Sequence, residues 1–233
     1  MLERLRRSLD AVRGRIADAC ARARRRVEDV TLVVVTKTVG AEVVDALARL
    51  GVEDVGENYV QDARRKKESA TSAAQKMRWH MIGHLQRNKA KRAVEIFDCV
   101  HSVDGLGIVE ALDRRARAAG RTMPVFVEVK LSGEATKFGV APDEAEAVAE
   151  AVAAADGLEL LGLMTMAPHF EDPERARRYF AALRSLGERL DTRLGGAIRY
   201  YSMGMSSDFE VAVEEGATHV RIGTAVVGGL VRC

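Results

Sequence analysis

No stretch of this 233-residue chain approaches the ~18 consecutive apolar residues that a membrane span needs, so no membrane partner is expected. Charge of one sign is missing too. Against 36 basic residues stand 34 acidic ones, leaving +2, and no global field favours nucleic acid. Cysteine is scarce: Cys20, Cys99 and Cys233 are scattered, odd in number and without CxxC spacing. That suggests neither a disulfide frame nor a zinc site, and fits reduced thiols in a cytoplasmic protein. No Gly/Ser/Pro-rich linker divides the chain. No G-x-G-x-x-G follows the first apolar run, and Walker loop, nucleophile elbow and H-E-x-x-H are all absent. His80 and His84 are four apart but straddle the end of an apolar run, so no metal is expected; His80 reads as a hydrogen-bonded core residue.

What is there is 47% hydrophobic and 30% charged, enough for one full core. Leu2, Leu5, Leu9, Val12 and Ile16 recur at three- and four-residue steps and predict an amphipathic helix over residues 2–25, within an N-terminal segment 1–28. Its arginines read as a solvated face rather than a nucleic-acid stripe, and Glu3, Asp10, Asp18 and Glu28 argue against a transit peptide. The clusters "RRKK" (64–67) and "RNKAKR" (87–92) lack interleaved aromatics and read likewise as solvated helix faces.

Eight short apolar runs follow, at 31–36, 52–55, 78–82, 97–101, 124–129, 158–163, 198–202 and 218–222. Helical patterns lie between them, such as 41–51 and 143–157, closed by Gly51 and Gly157, and 173–190, opened by Pro173. This alternation predicts an α/β fold, a single (β/α)8 TIM barrel over 31–229 with an extra N-terminal helix, the whole of 1–233 forming one domain. The alternative is an open doubly wound sheet.

Barrel chemistry gathers where strands end. The first run, "TLVVVTKT", ends on Lys37. Its ammonium has three readings: snorkelling to water, pairing with a carboxylate such as Glu57, or serving partly desolvated as a Schiff-base amine. Near the other end, "SMGMSSD" supplies Gly204, Ser206 and Ser207, with Asp208 as a plausible helix cap, and "RIGT" supplies Gly223 and Thr224. These are the loops after the seventh and eighth strands, where barrels often bind phosphate; the plain reading is a capped tight turn. Arg221 forms an ordinary ion pair or, beside a pyridine nitrogen, leaves that nitrogen unprotonated.

The blocks "VVVTKT" (33–38), "VGENYVQ" (55–61), "WHMIGHLQRNK" (79–89), "HSVD" (101–104), "GEATKFG" (133–139), "GLMTMAP" (162–168) and "SMGMSSDFEVAVEEGATHVRIGT" (202–224) resemble the pyridoxal phosphate homeostasis proteins, relatives of the alanine racemase barrel. The resemblance implies pyridoxal 5′-phosphate (PLP) as cofactor, with Lys37 forming its internal aldimine. It further implies Ser206, Gly223 and Thr224 as phosphate ligands, Arg221 at the pyridine nitrogen, and Asn58, Met203 and Met205 lining the ring pocket. Departures at 226–229 and Ala217 touch none of these.

Two functions are weighed: a non-catalytic carrier that holds, buffers and delivers PLP to apo-enzymes, and a PLP-dependent amino-acid racemase. A racemase needs a second base opposite the lysine. In related racemases a β-rich domain of the partner subunit brings it. The chain ends at Cys233 without such a domain, and of four tyrosines only Tyr59 lies near the mouth. The carrier is expected, as a cytoplasmic monomer.

Overall fold

Runs of valine and leucine hidden on both faces become the parallel strands of a closed barrel, because such a strand meets helices outside and its neighbours' side chains inside. The computed structural model describes residues 1–132 and 138–230. The strands are β1 (Thr31–Val35), β2 (Asp54–Glu57), β3 (Arg78–Met81), β4 (Cys99–Val103), β5 (Met123–Glu128), β6 (Leu158–Met164), β7 (Tyr200–Ser202) and β8 (His219–Ile222). They pair in sequence order, and β1 closes the ring on β8 with Val33 opposite Arg221. The α-helices are α1 (Leu2–Arg22), α2 (Ala41–Arg49), α3 (Val60–Ser69), α4 (Ser72–Gln75), α5 (Ala90–Ile96), α6 (Leu106–Ala118), α7 (Ala145–Ala153), α8 (Arg177–Arg193), α9 (Phe209–Glu214) and α10 (Thr224–Val227). All eight strands lie at the expected runs, displaced by a residue or two. No helix among the described residues is long and apolar enough to cross a membrane.

Helix ends moved for identifiable reasons. α1 stops at Arg22 rather than residue 25, because Arg24 takes a left-handed conformation (φ 55°). Its amide then bonds Ala21 O while Arg25 N–H bonds Cys20 O, a Schellman closure without glycine. Pro173 opens a 3-10 turn to Ala176, and α8 begins only at Arg177. Gly157 does not close α7, which ends at Ala153. Instead it lets strand and helix approach: a Cβ there would sit 2.7 Å from Asp113 O, and its amide donates to Asp113 Oδ1 at 2.8 Å.

The larger core lies between barrel and helices, with Trp79, Phe97, Phe180 and Phe209 among its wholly buried members. α1 adds Leu5, Leu9, Val12 and Ile16 to it, against α9 and α10. Its arginines are more than a solvated face. Arg15 pairs with Glu210 at 2.7 Å and Arg22 with Glu214 at 2.6 Å, and just beyond the helix Arg25 donates to Val213 O. Inside the barrel the filling is mixed. Cys99, Phe126 and Met164 form a small apolar cluster beside buried His80, His101, Ser202 and Arg221.

The "RRKK" cluster divides. Arg64 and Arg65 pair on the surface with Glu68 and Asp62. Lys66 and Lys67 turn inward: Lys67 donates to Ile96 O at 2.8 Å, and Lys66 donates to Thr36 O at 2.7 Å and Glu57 Oε1 at 2.6 Å. α3 buries Val60 and Ala63, and Lys67 follows them at helical spacing.

Candidate functional site

One cavity of about 1060 Å³ opens at the C-terminal ends of the strands. Val35 ends β1 opposite Gly56 of β2, Thr36 is buried, and the chain then turns to release Lys37 into the mouth. Lys37 is exposed and makes no hydrogen bond or ion pair among the described residues. Of the readings open for Lys37, pairing with Glu57 is set aside, because Lys66 and the Thr36 hydroxyl (2.5 Å) occupy that carboxylate.

Asn58 follows β2 and lines the cavity. Gly83 permits its position: a Cβ there would meet Asn58 O at 2.5 Å. Across the mouth, Gly204 adopts φ +94° with no room for a Cβ, which would lie 2.6 Å from that of Ala212. The loop it starts carries Met205, Ser206 and Ser207 to the cavity wall. Asp208 holds the N-cap position of α9 as expected, but its side chain makes no capping bond. Its Oδ1 accepts from Met205 N–H at 2.6 Å and so closes the loop on itself. The Ala225 amide donates to Ser206 Oγ at 3.3 Å, tying this loop to Gly223 and Thr224 after β8. The hydroxyls of Ser207 and Thr224 and the Asn58 amide have no partner among the described residues.

Arg221 forms part of the cavity wall and is 4% exposed. It donates to Ser202 Oγ at 2.6 Å and Thr165 O at 3.0 Å. Burial pulls its guanidinium down to about 10, with Glu128 and Asp208 opposing, so it stays charged at neutral pH.

Of the eight residues expected at a site, the cavity gathers Lys37, Asn58, Met205, Ser206, Arg221, Gly223 and Thr224. Met203 is the correction: it is 0% exposed and packs in the outer core instead of lining the pocket. The turn at Gly204 separates it from Met205. Residues 133–137, most of the "GEATKFG" block, lie outside the described residues.

Glu128, which closes β5, was not among the expected site residues. It lines the cavity, is 2% exposed, and burial raises its carboxyl to about 7, with Asp104 adding and Arg221 opposing. The signal was an ionisable residue at the end of "PVFVE", the same one that marked Lys37. At the rim, His84 Nδ1–H donates to Asp104 Oδ2 at 2.8 Å, and its ring stacks on Phe138 with ring centroids 4.0 Å apart. Tyr59, 64% exposed, also lines the mouth.

The arrangement brings an unpaired amine, open hydroxyls and a fixed guanidinium to the wall of one cavity. An aldehyde bearing a phosphate fits that donor set. A carboxylate would oppose it, and the one carboxyl group among the described lining residues is that of Glu128, at the end of β5.

The model of the alanine racemase N-terminal domain matches residues 8–231. The pyridoxal phosphate homeostasis protein of Aquifex aeolicus strain VF5 is 39% identical over 226 residues, covering 97% of this chain and 96% of that one. The protein of the same name from Pseudomonas aeruginosa PAO1 is 42% identical over 217 residues, covering 93% and 92%. PipY of Synechococcus elongatus PCC7942, solved with PLP bound, superposes with a TM-score of 0.81 at 34% identity, over 91% of this chain and 99% of PipY. Alanine racemase of Clostridium difficile 630 shares the fold, with a TM-score of 0.75 at 15% identity over 96% of this chain and 59% of that one. The chain therefore belongs to the family of the alanine racemase N-terminal domain, among its pyridoxal phosphate homeostasis proteins.

Proposed function

We propose that this chain is a carrier of PLP, holding the cofactor in the mouth cavity and releasing it to acceptors. The observation that carries the reading is the unpaired Lys37 amine sharing one cavity with open hydroxyls. Lys37 condenses with the aldehyde, releasing water and leaving an internal aldimine. Ser206, Ser207 and Thr224, with the Gly223 backbone, hold the phosphate; Arg221 faces the ring nitrogen, and Asn58 and Met205 flank the ring. Because Arg221 donates and cannot accept, it leaves the ring nitrogen unprotonated and the ring a weak electron sink. That suits reversible exchange of the tethered aldehyde with an incoming amine, such as an apo-enzyme lysine. The bound PLP of PipY and the names of the curated relatives support the reading.

Tyr59 at the cavity mouth keeps a racemase as the second reading, since its phenol is the one tyrosine hydroxyl in reach of the opening. One experiment addresses both. Titrating the protein with PLP is expected to give a yellow, saturable complex, and incubating that complex with single amino-acid enantiomers is expected to leave them unchanged on chiral chromatography. A protein that stays colourless overturns PLP binding. Enzyme-like racemisation that disappears in Tyr59→Phe overturns the carrier.

A further inference from the structure

Arg221 is the last member of a hydrogen-bonded chain that crosses the barrel interior from end to end. Its guanidinium donates to Ser202 Oγ at 2.6 Å, and Ser202 Oγ lies 2.7 Å from His101 Nδ1. His101 Nε2 lies 2.9 Å from His80 Nδ1, and His80 Nε2 lies 2.8 Å from Asp54 Oδ1. Asp54 opens β2 and Arg78 opens β3, at the barrel end opposite the cavity, where Arg78 grips both Asp54 oxygens at 2.7 and 2.6 Å. Five strands contribute, and all the linking side chains are buried: Asp54 is 5% exposed, His80 4%, His101 and Ser202 0%.

The donors and acceptors of this chain match in only one neutral arrangement. Arg221 can only donate, and the Asp54 carboxylate can only accept. Burial works against that carboxylate's charge, but the Arg78 and His80 hydrogen bonds prevail and hold it at about 2. Ser202 therefore turns its O–H to His101 Nδ1. His101 carries its proton on Nε2 and gives it to His80 Nδ1, and His80 carries its own on Nε2 toward Asp54. Burial drives His101 well below the usual imidazole range, which fits a neutral ring there. His219 stands beside the chain, with its ring centroid 5.9 Å from that of His101, and bonds to Thr218 instead.

Together with Cys99, the two rings place three potential metal ligand atoms within 4.8 Å of one another. Both nitrogens of each ring are already taken by hydrogen bonds, so a metal ion would have to break the chain to bind. The satisfied chain is the better account of these histidines.

We propose that Asp54, His80, His101 and Ser202 are positioning residues for Arg221, a one-directional hydrogen-bond relay that anchors the guanidinium from the far end of the barrel and so sets how it meets the ligand's ring nitrogen. This rests on the PLP reading above. Glu128 and Asp208 are the carboxyl groups that face Arg221 from other elements, and the relay holds the guanidinium from behind through hydrogen bonds alone. A fully satisfied buried network also fixes one geometry, where an apolar filling would leave the arginine free to swing.

Two measurements test it. In ligand-free wild type with 15N-labelled histidine, NMR at neutral pH is expected to find His80 and His101 neutral and protonated on Nε2; a His101 protonated on Nδ1 or doubly protonated overturns the relay. In PLP titrations, Ser202→Ala and His101→Phe are each expected to weaken binding at least tenfold. Both should also shift the pH midpoint of the bound chromophore's absorbance, which a merely structural loss would not move. Variants that bind within twofold of wild type with the same pH profile overturn the positioning role alone. Failure of wild type to bind PLP overturns the parent reading as well, and the tautomer measurement remains independent of it.

Discussion

Replacing Lys66 with methionine is expected to cost the fold about 3–5 kcal/mol at neutral pH, the range for removing one partner of a buried ion pair. Glu57 is wholly buried, and Lys66 is only 12% exposed. Burial already raises the Glu57 carboxyl above its usual range, with Lys66 and Thr36 opposing. Its Oε2 has no partner among the described residues, so the Lys66 ammonium carries most of the compensation for the charge. Without it, Glu57 must either remain charged in an apolar setting or take up a proton. The sign follows: a carboxyl raised in the folded state loses its contribution as pH rises, so the penalty in Lys66→Met should be smallest in acid and grow toward alkaline pH. Such a cost is a large share of a domain's usual 5–15 kcal/mol. The double variant Glu57→Gln/Lys66→Met should recover most of it. Urea denaturation from pH 5 to 8 checks this, and a loss under 1 kcal/mol with no pH dependence contradicts it. Because Lys66 also holds Thr36 O, next to Lys37, the variant should bind PLP less tightly even where it is folded.

Glu128→Gln is expected to stabilise the protein above neutral pH. The folded state raises this carboxyl from 4.5 to about 7, with burial the main cause. Between those values the folded protein keeps a proton that the unfolded chain has released, so wild-type stability falls as pH rises through that window. At ~1.4 kcal/mol per pH unit the full penalty is roughly 3 kcal/mol, reached above pH 7 and absent near pH 4. The amide keeps the shape and removes the charge. Denaturation curves of wild type and Glu128→Gln should therefore coincide near pH 4 and separate by pH 8; parallel curves contradict the shift. The same property makes Glu128 a group that takes up and releases a proton inside the cavity near neutral pH.

How much of this was legible in the sequence depended on how local the cause was. Strands in a barrel are hidden on both faces, so "TLVVV" and "PVFVE" stand out without knowledge of their neighbours, and Lys37 and Glu128 mark their exits. Lys66 and Lys67 read as solvated because a run of four basic residues carries no sign of which two face inward; the rotation of α3 over Glu57 and Trp79 decides it. Met203 and Met205 look equivalent in "SMGMSS" until the positive φ at Gly204 sends one to the core and the other to the cavity. The relay was the least legible. Its members are scattered from Asp54 to Arg221 on five strands, and only closure of β1 on β8 puts them in line.

The most direct measurement of the central claim is the site of covalent attachment. The PLP complex should be reduced with borohydride, digested, and mapped by mass spectrometry. Lys37 is expected to carry the pyridoxyl phosphate alone, and Lys37→Ala to carry none. Lys89 also lines the cavity and serves as an internal control. Label on Lys89 or elsewhere, or label retained in Lys37→Ala, would contradict the account.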